Sequence, residues 1–395
     1  MPDHTPSTHR TGVRARVSRN IVLLGVVSFF ADVSSEMVYP IVPLFLTGTL
    51  GAPLIAVGLI EGVAESTASV LRYAGGWLSD RVRRRLPFAF AGYSLAAVAK
   101  PALAAAAVWP MVLGARFIDR AGKGIRNAPR DALIAASSKP EDRGRAFGLH
   151  RAMDTAGAIA GPLIAIALVA WLGDNYRPIF LLAFIPGVLS VLALLGVREA
   201  VSTVPRRAQT AILSLREYDP RFLAFLGASL LFALGNSSDA FLILRAHDIG
   251  LSATAVVLVY VVYNIAYAAL SFPAGVVSDR IGRRPLLATG FLVFAGVYTA
   301  FAAIGDAWSV WPLFAIYGAY IALTEGIGRA YISDLVPEDR RASALGLYGA
   351  STGAMLLIAS IIGGALWDLV GPEATFAFGA GTASLAAIVF LGTSR

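Results

Sequence analysis

No cysteine occurs among the 395 residues, which excludes a disulfide framework and any thiolate metal site. Histidine is scarce, and His4, His9, His150 and His247 make no His-x3-His pair of the kind that holds a metal. There is no G-x-S-x-G elbow. The "GKG" at Gly122–Gly124 is not a phosphate loop, because Phe117 and Gly124 stand where a glycine and a Ser or Thr are required. No enzyme and no cofactor are expected. Charge is scarce as well: Asp, Glu, Lys and Arg make up 15%, against roughly a quarter in soluble domains. What fills the chain is apolar, at 57% hydrophobic residues and a mean hydropathy of +0.69, and this identifies an integral membrane protein.

Apolar runs of membrane-spanning length recur throughout, for instance at Ile21–Leu46, Phe88–Trp109, Ile179–Val197, Leu286–Ala303 and Ala374–Leu391. About twelve helices are expected on a ruler of ~20 residues per span. The runs are continuous rather than alternating, which excludes an outer-membrane barrel. The polar, basic start of the chain does not read as a cleaved signal peptide. Of 33 Lys and Arg, 22 fall on one side of the expected spans and only Arg177 and Arg245 on the other, so both termini are expected in the cytoplasm. Bases spread over short loops as topology signals also account for the net charge of +8 without a nucleic-acid partner.

The chain repeats itself. "GGWLSDRVRRR" from Gly75 returns as "AGVVSDRIGRR" from Ala274, 199 residues on, and "PEDRGRAFGL" from Pro140 returns as "PEDRRASALGL" from Pro337. "SSE" at Ser34–Glu36 is answered by "SSD" at Ser237–Asp239. Two six-helix halves, 1–197 and 220–395, are expected, joined by a cytoplasmic linker over 198–219. An even number of helices per half makes the repeats parallel, and the interface between them is where a substrate site belongs.

In these residues the chain resembles the major facilitator superfamily. The motif is Gly76-Trp-Leu-Ser-Asp80-Arg81-Val-Arg-Arg84-Arg85 between helices two and three, with its second copy Gly275-Val-Val-Ser-Asp279-Arg280-Ile-Gly-Arg283-Arg284. The first copy departs from the family pattern in having Arg83 where a turn glycine is usual. The resemblance implies an all-α fold of twelve transmembrane helices in two pseudo-symmetric six-helix bundles. It also implies gate clusters in which Asp80, Arg81 and Arg84 meet Asp131, and Asp279, Arg280 and Arg283 meet Asp334. In helix five, Gly148, Gly157, Gly161 and Pro162 resemble the antiporter signature of the superfamily's exporters, although Ala165 and Ile166 stand where its closing glycines belong. Glycines at such spacing let helices approach closely, and a proline can bend one over a cavity.

Charges inside spans are costly, and each is a functional candidate. As proton-coupling groups the sequence offers Asp32 and Glu36, four apart on one face of helix one, then Glu61, Glu65, Asp154, Asp239 and Glu325. "RFIDRAGKGIRNAPRD" at Arg116–Asp131 is expected to be the middle and inner part of helix four. Its charges fall in one arc, with Phe117, Ile118, Ala121, Ile125 and Ala128 opposite. Cavity candidates are Arg116, Arg120, Lys123, Arg126, His150, Arg151, Tyr263, Asn264 and Arg329.

The expected protein is a monomeric proton-coupled transporter of a bacterial-type inner membrane, exporting small organic, drug-like compounds in exchange for protons. Its partners are then the lipid bilayer and the small-molecule substrate. Sodium stands as the other possible coupling ion. Two further readings are proton-coupled uptake of an anionic or zwitterionic metabolite, and a transporter-like receptor without turnover.

Overall fold

The structure, a computed structural model, describes residues 18–82, 84–139, 142–199, 218–337 and 340–392. Among them there is no strand. The first span runs through α1 (Arg19–Val38), α2 (Val42–Leu44) and a π-helical turn at Phe45–Thr49. It is followed by α3 (Leu54–Val82), α4 (Leu86–Ala105), α5 (Trp109–Ala136), α6 (Arg143–Leu172) and α7 (Arg177–Leu194). The second half opens with a broken span, α8 (Pro220–Gly235) and α9 (Ala240–Asp248). It continues through α10 (Ala253–Ile281), α11 (Arg283–Ala303), α12 (Val310–Leu335), α13 (Arg341–Leu369) and α14 (Pro372–Gly392).

Local chemistry explains where these helices begin. Ser18 caps α1 by accepting from the Ile21 amide, and Ser252 caps α10 in the same way. Proline stands in the first turn of α4, α5, α7 and α8, where its missing N–H costs nothing. Among the described residues eleven spans are long and apolar enough to cross a membrane. The remaining one is α5, long enough at 28 residues but crowded with charge.

Within the first half α1 packs on α6 and α7, α3 on α5, and α4 on α5 and α7. Within the second, α10 packs on α12, α11 on α12 and α14, and α8 on α14. The halves meet chiefly through α3 against α13 and α6 against α10. Of the expected linker, 200–217 lie outside the described residues, as do 140, 141, 338 and 339 of the repeated loops.

Because the spans alternate, Ser18, Gly392 and the α3–α4 and α10–α11 junctions share one face of the bundle, here the terminal face. The opposite face is shut. Asp368 near the end of α13 accepts from the Leu54 and Ile55 amides at the start of α3, at 2.9 and 2.8 Å. Below it Gly364 lies on Leu54 and Ile55, Gly58 on the Ser360 carbonyl and Gly62 on Leu357. The seam ends where Ser66 Oγ donates to the Gly353 carbonyl at 2.6 Å. Toward the terminal face, by contrast, Arg151 of α6 and Glu325 and Arg329 of α12 have exposed side chains.

The two copies of the repeated motif turn differently. In the second, Gly282 alone separates α10 from α11, at a φ of +93° that glycine adopts without strain. The first copy has no glycine there, and α4 does not begin until Leu86. The longer turn changes which arginine reaches inward: Arg283 donates to the Ala330 carbonyl, whereas in the first half it is Arg85, and not Arg84, that donates to Ala132.

Candidate functional site

Helix α5 lies between α3 and α4, and its charges are stitched to both. Arg116 grips Glu61 with two hydrogen bonds, Nε to Oε1 at 3.0 Å and Nη2 to Oε2 at 2.6 Å. Asp119 takes Lys100 of α4 at 2.5 Å and faces Arg116 Nη1 at 3.7 Å. Arg120 meets Glu65 at 3.0 Å. Glu61, Lys100, Arg116, Asp119 and Arg120 are all buried, while Phe117 and Ile118 on the other side of α5 are exposed. The guanidinium groups of Arg116 and Arg120 also stand 5.7 and 5.6 Å from the centre of the Tyr39 ring. An arrangement of this kind resists rearrangement, because pulling one member away strands a buried charge.

Two bases of α5 are left over. Among the described residues Lys123 makes no ion pair, and Arg126, 3% exposed, lies 4.2 Å over the Tyr93 ring with its Nε unpartnered. Among the described residues no base stands within ion-pair distance of Asp32, Glu36 or Asp239. Asp32 and Asp154 present their carboxyls to each other within hydrogen-bonding reach. Asp154 also accepts from Ser28 Oγ at 2.7 Å and from Arg151 at 3.1 Å. Glu36 accepts instead from Tyr260 of α10 at 2.9 Å, a bond between the two halves.

The glycines of α6 bear on the same place. Gly157 lies against Phe29 and Asp32, and Gly161 against Val33, Glu36 and Met37, so any side chain at either would push into the stretch of α1 that holds the two acids. Pro162 is buried beside them, whereas Gly148 faces open space. His150 is buried with an unpartnered Nε2.

The second half answers with tyrosines. Asp239 sits at the break between α8 and α9 and accepts from Tyr317 of α12 at 2.7 Å. Ring centroids run from Tyr39 to Tyr260 at 5.5 Å, to Tyr263 at 5.5 Å, to Tyr317 at 5.6 Å and to Tyr320 at 5.1 Å. Tyr320 in turn accepts from Asn236 at 3.0 Å. Asn264 is turned away, donating to the Tyr260 carbonyl of its own helix. Glu325 accepts from Tyr267 and from Arg329, in an exposed group near the terminal face.

The expected gate clusters are brought together unevenly. In the second half Arg283 pairs with Asp334 and, at 3.5 Å, with Asp279, while Arg280 is exposed. In the first, Asp131 pairs with its neighbour Arg130 at 2.9 Å rather than with Arg84, which is exposed. The Asp80 side chain is outside the described residues. Arg85, whose amide bonds to Glu199, takes the place expected of Arg84. Arg81 is exposed at the end of α3.

Lys100, Asp119, Tyr317 and Tyr320 are not among the expected site residues. Lys100 carries a legible signal, a lone base inside an apolar run. The tyrosines carry none, because tyrosine is equally at home at membrane interfaces.

Comparison with known proteins agrees with this architecture. The family model of the Major Facilitator Superfamily matches residues 24–244 and 222–395. An uncharacterized MFS-type transporter of Methanocaldococcus jannaschii is 37% identical over 381 residues, 95% of each chain. Multidrug resistance protein MdtH of Edwardsiella ictaluri is 31% identical over 150 residues, 38% of this chain and 35% of its own. Among solved structures, the nucleoside transporter NupG superposes with a TM-score of 0.77 at 14% identity, covering 95% of this chain and 99% of that one. Two six-helix bundles, a sealed face between them, a buried charged helix in the first and a family match along nearly the whole length lead to one conclusion: the chain belongs to the major facilitator superfamily.

Proposed function

We propose that this transporter is a proton-coupled antiporter that exports small organic, drug-like compounds by alternating access. The observation that carries the reading is the set of acids without bases. Glu61, Glu65 and Asp119 are neutralised by arginine or lysine partners, which leaves them a structural part. Asp32, Glu36 and Asp239 have no such partner among the described residues, and a carboxyl in a low-dielectric cavity without a compensating base readily gains and loses a proton. Asp32 carries the proton beside Asp154, which is itself held by Ser28 and Arg151. The seam on the opposite face and the exposed groups near the terminal face fit an inward-open state, with the basic terminal face in the cytoplasm of a bacterial-type inner membrane. Similarity to MdtH over part of the chain favours drug-like cargo. The contacts of Arg283 with Asp334 and of Arg85 with the Ala132 carbonyl each lie within one half, and they tie the helix ends of that half together as it moves as a body.

A second reading, proton-coupled uptake of an anion, is favoured by Lys123 and Arg126, which no acid neutralises among the described residues. Proteoliposomes separate the two. An acid-inside gradient should drive accumulation of drugs from a panel of cations, anions and neutral compounds, and Asp32→Asn and Glu36→Gln should abolish it. Exchange that persists unchanged in both variants would sink the coupling assignment. Accumulation of anions alone, driven by an acid-outside gradient, would establish uptake instead.

A further inference from the structure

Resting on the transport reading above, we infer that the substrate is an organic cation, held by its positive charge between Glu36 and Asp239 along the wall of Tyr39, Tyr260, Tyr263 and Tyr317. These four rings follow one another at 5.5–5.6 Å and cross from the first span of the first half to α10 and α12 of the second. Each acid is tied to the wall by a tyrosine hydroxyl, Glu36 to Tyr260 and Asp239 to Tyr317, and among the described residues neither has a base within ion-pair distance. Tyrosine rings present a negative face to a cation, and two carboxylates supply the net charge that rings lack.

The nearest bases argue in the same direction. Arg116 and Arg120 already approach the Tyr39 ring, as a cation on this wall would, but each is held back by its own glutamate. Their positive charge is therefore taken up by Glu61 and Glu65, while the wall keeps two uncompensated negative charges. Asp239 also lies at the break between α8 and α9, the kind of unwound site at which transporters of this architecture gather polar contacts. Next to it the fully buried Tyr298, 6.4 Å from Tyr317, has a hydroxyl without a hydrogen-bond partner. A bound ammonium or phosphonium group would touch both halves at once, which is the requirement for a ligand to bias their relative position.

Tetraphenylphosphonium and tetraphenylborate have nearly the same shape and opposite charge, and they test the inference on the unaltered protein in detergent. Radiolabelled tetraphenylphosphonium should bind saturably, tetraphenylborate and neutral triphenylphosphine oxide should not displace it, and Glu36→Gln or Asp239→Asn should weaken it by about tenfold or more. Equal or tighter binding of tetraphenylborate would overturn the inference in favour of an anion at Lys123 and Arg126. Undiminished phosphonium binding to the double variant would overturn it too. The binding assay needs no gradient, so failure of proton-driven exchange with phosphonium still bound would strike the transport reading and leave the cation site standing. Exchange of neutral or anionic compounds without phosphonium binding would do the reverse.

Discussion

Helices α5 and α12 stand in equivalent places in the two halves, and they fill their buried faces with opposite chemistry. The large side chains buried in the middle of α5 are Arg116, Asp119, Arg120 and Arg126; in the middle of α12 they are Tyr317 and Tyr320, with Phe314 above them. Both helices are paired with the second span of their half, α5 with α3 and α12 with α10. The contacts differ in kind. Across α3 and α5 they are ion pairs between full charges, and across α10 and α12 they are ring contacts with single hydroxyl bonds. A buried ion pair cannot be loosened without exposing two charges to a poor solvent, whereas aromatic rings can slide past one another at small cost. The first half is thus built as a fixed wall and the second as an adaptable one, with Glu36 and Tyr260 at their meeting point.

The largest test of this contrast is to remove one charge. Glu61→Ala should leave buried Arg116 with only its 3.7 Å contact to Asp119 and cost about 3 kcal/mol, seen as a steep drop of the unfolding midpoint in detergent. Tyr317→Phe, which deletes one hydroxyl from the other wall, should cost only about 1 kcal/mol. If the two midpoints fall equally, the contrast between the walls is wrong. A paired exchange sharpens it: Glu61→Met with Arg116→Leu should recover most of the loss in stability, because an apolar pair of similar volume removes the stranded charge.

The seam offers a smaller effect. Asp368→Ala withdraws the acceptor from two amides at the start of α3 and should favour opening of that face by about 1–2 kcal/mol. A chain without cysteine allows a clean readout: the labelling rate of Ser360→Cys by an impermeant maleimide should rise about 5–30-fold, the factor that 1–2 kcal/mol represents. An unchanged rate would show that Asp368 does not hold the face shut. The smallest effects belong to the two junctions. Arg85→Gln and Arg283→Gln remove contacts within a single half and, like Arg84→Gln at an exposed side chain, should leave the labelling rate of that reporter within about twofold.

The buried charges of α5 were legible because a run such as Arg116–Asp131 has no cheap place in a membrane except a protected face. Their partners were legible as a class, since the acids at that depth are on neighbouring spans. Which acid takes which base was not. Asp32 and Glu61 are equally carboxylates in sequence, and only the packing of α3 on α5 gives Glu61 an arginine while leaving Asp32 facing Asp154. The exchange of Arg84 for Arg85 had a visible cause in Arg83 at a glycine position. Its consequence, a shift of one residue in the inward-reaching arginine, depends on where α4 begins.

By itself the sequence determined the membrane-spanning class, the two halves, the family motifs and the set of charges that must be hidden. Each of these follows from composition, period or repetition, which are properties of the chain alone. The tertiary structure decided which charges cancel, that α1 stays continuous at Ser34–Glu36 while α8 and α9 part before Asp239, and that four tyrosines from three spans form one wall. These depend on distances between residues as many as 278 positions apart, from Tyr39 to Tyr317, and no local pattern encodes a distance across the bundle.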